Sequence, residues 1–173
     1  MKVDWESLAK ELGTLTDFGG ELGGSDLGTQ AIEYVLGSEF FEQAVEHYIK
    51  CRSGAELARS VLLRLKPWSG MKHCYYIFKH SENLDDRRSA IELLRVVGDR
   101  QVLKWIPEFL SDPDQSIQSW GIGIIDQLLF WELLFDEDVK EILELALTHE
   151  NQYVRGQASR LLSVDHETEH ISE

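Results

Sequence analysis

The most chemical-looking run in this 173-residue chain is His166-Glu167-Thr168-Glu169-His170. Two imidazoles four residues apart on a helix can share a zinc ion, and the glutamate between them can activate a water. Only Ile171, Ser172 and Glu173 follow in this sequence, so no third ligand is expected downstream, and the run is polar all round. It reads as a polar tail over 164–173. His149-Glu150 reads as a turn ahead of Asn151. His47, His73 and His80 are scattered, and no carboxylate or cysteine spacing completes a site around them. Cys51 and Cys74 form no close motif, and two thiols in a chain this size fit a reducing compartment. Gly19-Gly20-Glu21-Leu22-Gly23-Gly24 lacks the Lys-Ser/Thr of a phosphate loop and the spacing of a dinucleotide fingerprint, and Asp17, Glu21 and Asp26 would repel phosphate. It reads as a mobile linker or as an acidic arm that orders on a partner. No nucleophile, base and orienter stand together. The expectation is therefore no catalytic residue, no metal and no cofactor.

Binding chemistry is better represented. The chain has 17 basic and 31 acidic residues, a net charge of −14. Residues 1–46 hold 10 acids and 2 bases, residues 47–104 hold 6 and 12, and residues 105–173 hold 15 and 3. Such a chain repels nucleic acid at long range and attracts basic proteins. The run Phe130-Trp131-Glu132-Leu133-Leu134-Phe135, then Asp136-Glu137-Asp138, sets large aromatics beside carboxylates. That is the composition of an anchoring and steering patch. The expected partner-binding set is Phe130, Trp131, Glu132, Phe135, Asp136, Glu137 and Asp138, with a buried inter-helix turn as the plainer alternative. In the basic middle, Arg52, Arg59 and Lys66 recur every seven residues, as do Arg88 and Arg95. Seven residues is close to two helical turns, so these form stripes able to meet phosphates. The acidic total makes nucleic acid the disfavoured partner.

Helices must position these groups, since no useful period-2 alternation occurs. Trp5, Leu8 and Leu12 mark a short helix over 4–12. Six glycines in 13–28 oppose regular structure. Thr29 caps a helix ending at Gly37, and Ser38 caps one over 39–51. Ser53 and Glu56 form a capping box opening 54–66, which Pro67 stops. Further helices are expected over 70–80, 84–97 (capped by Asn83), 100–110, 114–130 (with Pro113 in the first turn), 137–148 and 152–163 (capped by Asn151). No uncharged run is long enough to span a membrane, and nothing at the start reads as a signal peptide, so a cytoplasmic location is expected.

A repeat underlies this order. Ala58, Ala90, Gly121 and Ala158 are each followed, three and four residues on, by an apolar pair: Val61/Leu62, Leu93/Leu94, Ile124/Ile125 and Leu161/Leu162. Asn83, Asp114 and Asn151 each precede the small residue by seven. Periods of 20–50 residues signal a solenoid whose units bury their apolar faces on one another. Asp112-Pro113-Asp114-Gln115-Ser116-Ile117 with Gly121, and Asn151-Gln152-Tyr153-Val154-Arg155 with Ala158, resemble HEAT repeats. Asn83, Arg87 and Ala90 make a weaker copy and Ser53–Leu65 a marginal one, so the resemblance covers about 53–163. Gln118 stands where that pattern has Arg, and no regular Asp–Arg ladder is evident. The resemblance implies an all-α fold, a right-handed α-solenoid of antiparallel helical pairs, in one domain: residues 1–28 as helix plus acidic glycine-rich loop, 29–163 as repeats, 164–173 as tail. It also implies macromolecular binding. Small acidic HEAT-like chains include bacterial immunity proteins that neutralise basic toxin domains. The alternatives are an adaptor or chaperone subunit, and a HEAT-like hydroxylase, lyase or DNA glycosylase. Some of these hydroxylases hold iron through several facing His-Glu pairs, which this chain does not supply.

Overall fold

A computed structural model describes residues 3–16, 18 and 20–168, without the side chains of Asp136 and of residues 164–168. Ten α-helices are found among the described residues, and the only β-pairing is a single antiparallel bridge between Leu15 and Glu21. The chain is all-α. It divides into two compact units, Met1–His73 and Cys74–Glu173.

The first unit holds α1 (Trp5–Glu11), α2 (Ser25–Leu36), α3 (Ser38–Ile49), α4 (Ala55–Leu65) and the start of α5 (Trp68–His80). Phe41, Val45, Ile49, Leu62 and Met71 are buried here, and α3 packs on α4. Local signals in this unit are partly overruled. Helix α2 begins at Ser25 with Gly24 as its cap, so four residues of the glycine-rich stretch are helical and Thr29 lies inside the helix. Gly37 caps α3 in place of Ser38. The Ser53–Glu56 box does not form: Gly54, at φ 91°, takes the cap position, and the Ser53 carbonyl faces His47 Nε2 at 2.9 Å. Helix α5 starts directly after Pro67, at Trp68. Its first amides donate to a residue distant in sequence: Trp68 N and Ser69 N reach the Glu33 carboxylate at 3.0 and 2.7 Å. An anion at a helix N-terminus satisfies amides that have no partner within the helix, so Glu33 ties α2 to α5.

The second unit holds the rest of α5, then α6 (Leu84–Val97), a 3-10 turn (Arg100–Trp105), α7 (Ile106–Leu110), α8 (Gln115–Phe130), α9 (Asp136–Ala146) and α10 (Gln152–Thr168). The expected helix 100–110 is thus split, with Pro107 at the start of the α-helical part. Pro113 lies outside α8, before its cap. Helix α10 runs five residues past 163. Helix α8 touches α6, α7 and α10, and α9 packs on α10. Ala90, Gly121 and Ala158 are all buried, whereas Ala58 of the first unit is only half-buried. A Cβ at Gly121 would lie 2.8 Å from the Phe109 Cβ, so only glycine lets α8 approach α7 this closely.

One capping arrangement recurs three times in this unit. Asn83, Asp114 and Asn151 each accept from the amide two residues on: Asp85 N at 2.9 Å, Ser116 N at 3.1 Å and Tyr153 N at 2.9 Å. The amide of each cap donates to a side chain two residues back: Ser81 Oγ, Asp112 Oδ1 or His149 Nδ1. Four residues after each cap, Arg87, Gln118 or Arg155 donates to a carbonyl before its own helix, that of Phe78, Asp112 or His149. Gln118 therefore makes the bond of the Arg it replaces. Successive caps are also joined, though by Asp–Arg pairs at one junction and by an Asn–Gln bond at the other rather than by a regular Asp–Arg ladder. Arg87 pairs with Asp112, Arg88 donates to both oxygens of Asp114 at 3.1 and 2.6 Å, and Asn151 Nδ2 donates to Gln118 Oε1 at 2.8 Å. Arg88, with help from the Ile117 and Ser116 amides, holds the Asp114 carboxyl below the ordinary value of 3.8.

Two predictions follow from this packing. Gly121→Ala lowers stability by roughly 1–3 kcal/mol through overpacking, whereas Gly156→Ala, in helix α10 with open space around it, raises it by roughly 0.5–1 kcal/mol. Urea unfolding of both variants reads the two signs. The second concerns acid. A carboxyl whose pKa is lowered on folding contributes stability above its unfolded value, and that contribution is lost as pH falls through the folded value. Asp114→Asn keeps a capping oxygen but loses the ion pair with Arg88. It should cost about 1 kcal/mol at neutral pH, and its stability should fall less steeply than that of the parent chain below pH 3.8.

Candidate functional site

The corner between α8 and α9 is built by a chain reversal. Trp131 ends α8, Glu132 adopts φ 56° and Leu134 is buried, which pins the turn from below. The aromatics on either side stay outside: Phe130 is 78 % and Phe135 72 % exposed. Large aromatic side chains are enriched at protein interfaces relative to the rest of the surface. The plainer expectation, that the turn buries this run, fails for these two residues.

The seven residues expected here do not share one role. Glu132 and Glu137 are exposed, and Trp131 is half-buried. Asp136 opens α9, but its side chain lies outside the described residues. Asp138 is already engaged: its Oδ2 accepts from Phe135 N at 3.1 Å, and its Oδ1 meets Arg100 at 3.2 Å. It stabilises the corner and is not a free acid. The surface continues where sequence reading stopped. Val139, Leu143 and Ala146 point inward from α9. The opposite side carries exposed Glu141 and Glu144, one and two turns on from Glu137, with Leu145 73 % exposed beside them. The i, i+4, i+7 spacing of Glu137, Glu141 and Glu144 was readable as a stripe. Leu145 was not, because an apolar residue inside an apolar-periodic helix reads as core. Over residues 130–150 there are 7 acids and one base, Lys140.

The basic stripe fares differently. Arg88 is committed to Asp114 and, at 3.3 Å, to Asp85. The Arg95 guanidinium lies 5.1 Å from the centre of the Trp120 ring. In the first unit, Arg59 approaches Glu56 at 3.4 Å, Lys66 ends α4 in the left-handed region and Arg52 is exposed. Arg88 and Arg95 are thus spent on internal contacts that a phosphate would have to displace.

Other titratable groups of the second unit make ion pairs and caps. Glu108 accepts from Lys79 at 2.7 Å and from the Tyr75 hydroxyl at 2.8 Å. Lys79 foremost, then Tyr75, holds Glu108 below the ordinary 4.5. Partial burial foremost, then Glu108, raises the Tyr75 phenol above 10.0. Both shifts move away from neutral pH. His149 sits in the expected turn with both ring nitrogens engaged, Nε2 donating to the Leu110 carbonyl at 2.7 Å and Nδ1 accepting from Asn151 N at 3.0 Å. Those partners require the neutral tautomer protonated on Nε2. Among the described residues no three His, Cys, Asp or Glu side chains converge as a metal site. Glu169 and His170 of the terminal His-Glu-x-x-His run lie outside the described residues. Among the described residues no helix is long and apolar enough to cross a membrane. Compared with known protein families, curated proteins and solved structures, the chain matches none.

Proposed function

We propose that the chain is a HEAT-like repeat scaffold, an α-solenoid of stacked helical pairs, that binds a basic protein without acting chemically on it. The observation that carries this is the α8–α9 corner, where two aromatics more than two-thirds exposed stand beside a row of exposed glutamates. Carboxylates steer a cationic partner, and aromatic anchors then exclude water and slow dissociation. The threefold cap and its buried small residues support the repeat reading. They give three segments of unlike sequence the same local geometry. The charge of −14 in 173 residues suits an immunity protein that neutralises a basic toxin domain in the cytoplasm. An adaptor or chaperone subunit would use the same surface.

The test is affinity capture on the full chain followed by measured binding of the captured protein. A basic protein should be retained at low salt, with affinity falling as salt rises. Phe130→Ala combined with Phe135→Ala should weaken binding about ten-fold or more. Stability should stay within about 0.5 kcal/mol, because both rings are solvent-exposed. Retention of no basic protein, or of one indifferent to both rings, overturns the reading.

A further inference from the structure

We propose that the first unit carries a docking surface of its own, at the α2–α3 corner, for a cationic amphipathic segment of a protein. Helix α2 has apolar residues at helical spacing yet buries none of its residues. Ile32 and Leu36, one turn apart on one face, are 42 % and 40 % exposed, and Phe40, past the Gly37 bend, is 44 % exposed. This is not a loose end of the chain. The Glu33 carboxylate, between those residues in sequence, holds the first amides of α5 at 3.0 and 2.7 Å and so fixes α2 in place. An apolar face that is tethered in place and still two-fifths exposed can take an occupant.

Charge identifies which one. Beside Phe40, helix α3 lines a cleft of about 510 Å³, and Glu39, Glu42 and Glu46 stand along one wall at i, i+3 and i+7. Glu46 is engaged by His73 at 3.0 Å, and Lys50 and Arg52 line the cleft beyond it. The anionic end is therefore at Glu39 and Glu42, which flank Phe40 along α3. At that end Glu39 and Glu42 oppose the approach of an anionic bilayer or nucleic acid. A second copy, itself at −14, would be opposed by the same repulsion. What fits is a helix or extended segment with an apolar side for Ile32, Leu36 and Phe40 and a Lys or Arg flank for Glu39 and Glu42. The inference does not rest on the α8–α9 corner.

The experiment titrates a synthetic amphipathic Leu/Lys helix into the isotope-labelled full chain, reading amide shifts and, separately, fluorescence anisotropy. Shifts should centre on residues 32–46. Ile32→Gln with Leu36→Gln, and Glu39→Gln with Glu42→Gln, should each weaken the peptide about ten-fold while leaving the helical circular dichroism unchanged. Phe130→Ala with Phe135→Ala should leave the 32–46 shifts in place, which separates this surface from the other. The proposal is overturned if the shifts fall only elsewhere, if either pair of variants binds as the parent does, or if a Leu/Glu helix binds equally well. It is also overturned if Ile32→Gln with Leu36→Gln abolishes binding of phosphatidylserine vesicles or disperses a concentration-dependent dimer, since the occupant is then lipid or a second copy.

Discussion

A helix leaves its first amides and last carbonyls without partners, and packing the helix ends into a core makes that omission costly. The second unit solves this with one arrangement used at Asn83, Asp114 and Asn151. A side chain behind the cap takes the amide of the cap, the cap takes an amide ahead, and a side chain one turn in takes a carbonyl from before its helix. The cap and the buried small residue are seven positions apart, close to two full turns, so they lie on the same side of the helix. Fixing the cap therefore fixes the rotation that turns Ala90, Gly121 or Ala158 toward a neighbour. At Gly121 the tolerance is narrow, since even one added carbon meets Phe109. Arg88 of α6 grips the cap of α8, and Gln118 of α8 meets the cap of α10, so the starts of α8 and α10 are each held by the helix two before.

Much of this was legible and some was not, for identifiable reasons. The caps and the small residues belong to narrow residue classes at constant spacing, so the sequence displays them. The acceptors behind the caps are a serine, an aspartate and a histidine. Hydroxyl, carboxylate and imidazole share nothing a pattern could detect, and only the common geometry unites them. Gln118 misleads in the same way: its residue type breaks the pattern while its hydrogen bond preserves it. In the first unit glycine cuts both ways. It argued against structure before Thr29, yet Gly24, Gly37 and Gly54 cap the three helices that follow. The bond from Glu33 to α5 spans 35 residues, a separation at which local pattern carries no information.

The candidate corner was located by composition, but the division of labour within it was not. A carboxylate run cannot reveal which member caps the helix, and Asp138 does so because the α9 start needs an acceptor for the Phe135 amide. The cap position itself holds Phe135, whose ring cannot accept a hydrogen bond. Serine, aspartate or asparagine there would be worth about 1 kcal/mol more to the helix, and burying a ring of this size would be worth roughly 1.5–3 kcal/mol. Phe135 collects neither contribution.

A position that forgoes both cap and burial is poorly explained by folding alone, and Phe130 and Leu145 share its exposure. The electrostatic part of such a surface acts only near contact, since salt screens exposed charges beyond about 8 Å under physiological conditions. In the proposed binding, Glu137, Glu141 and Glu144 would orient an approaching cationic surface, and residence would come from area removed from water at the aromatic rings. The proposed surface combines both kinds of side chain, and Phe135, as the cap residue of α9, stands at the head of the carboxylate row.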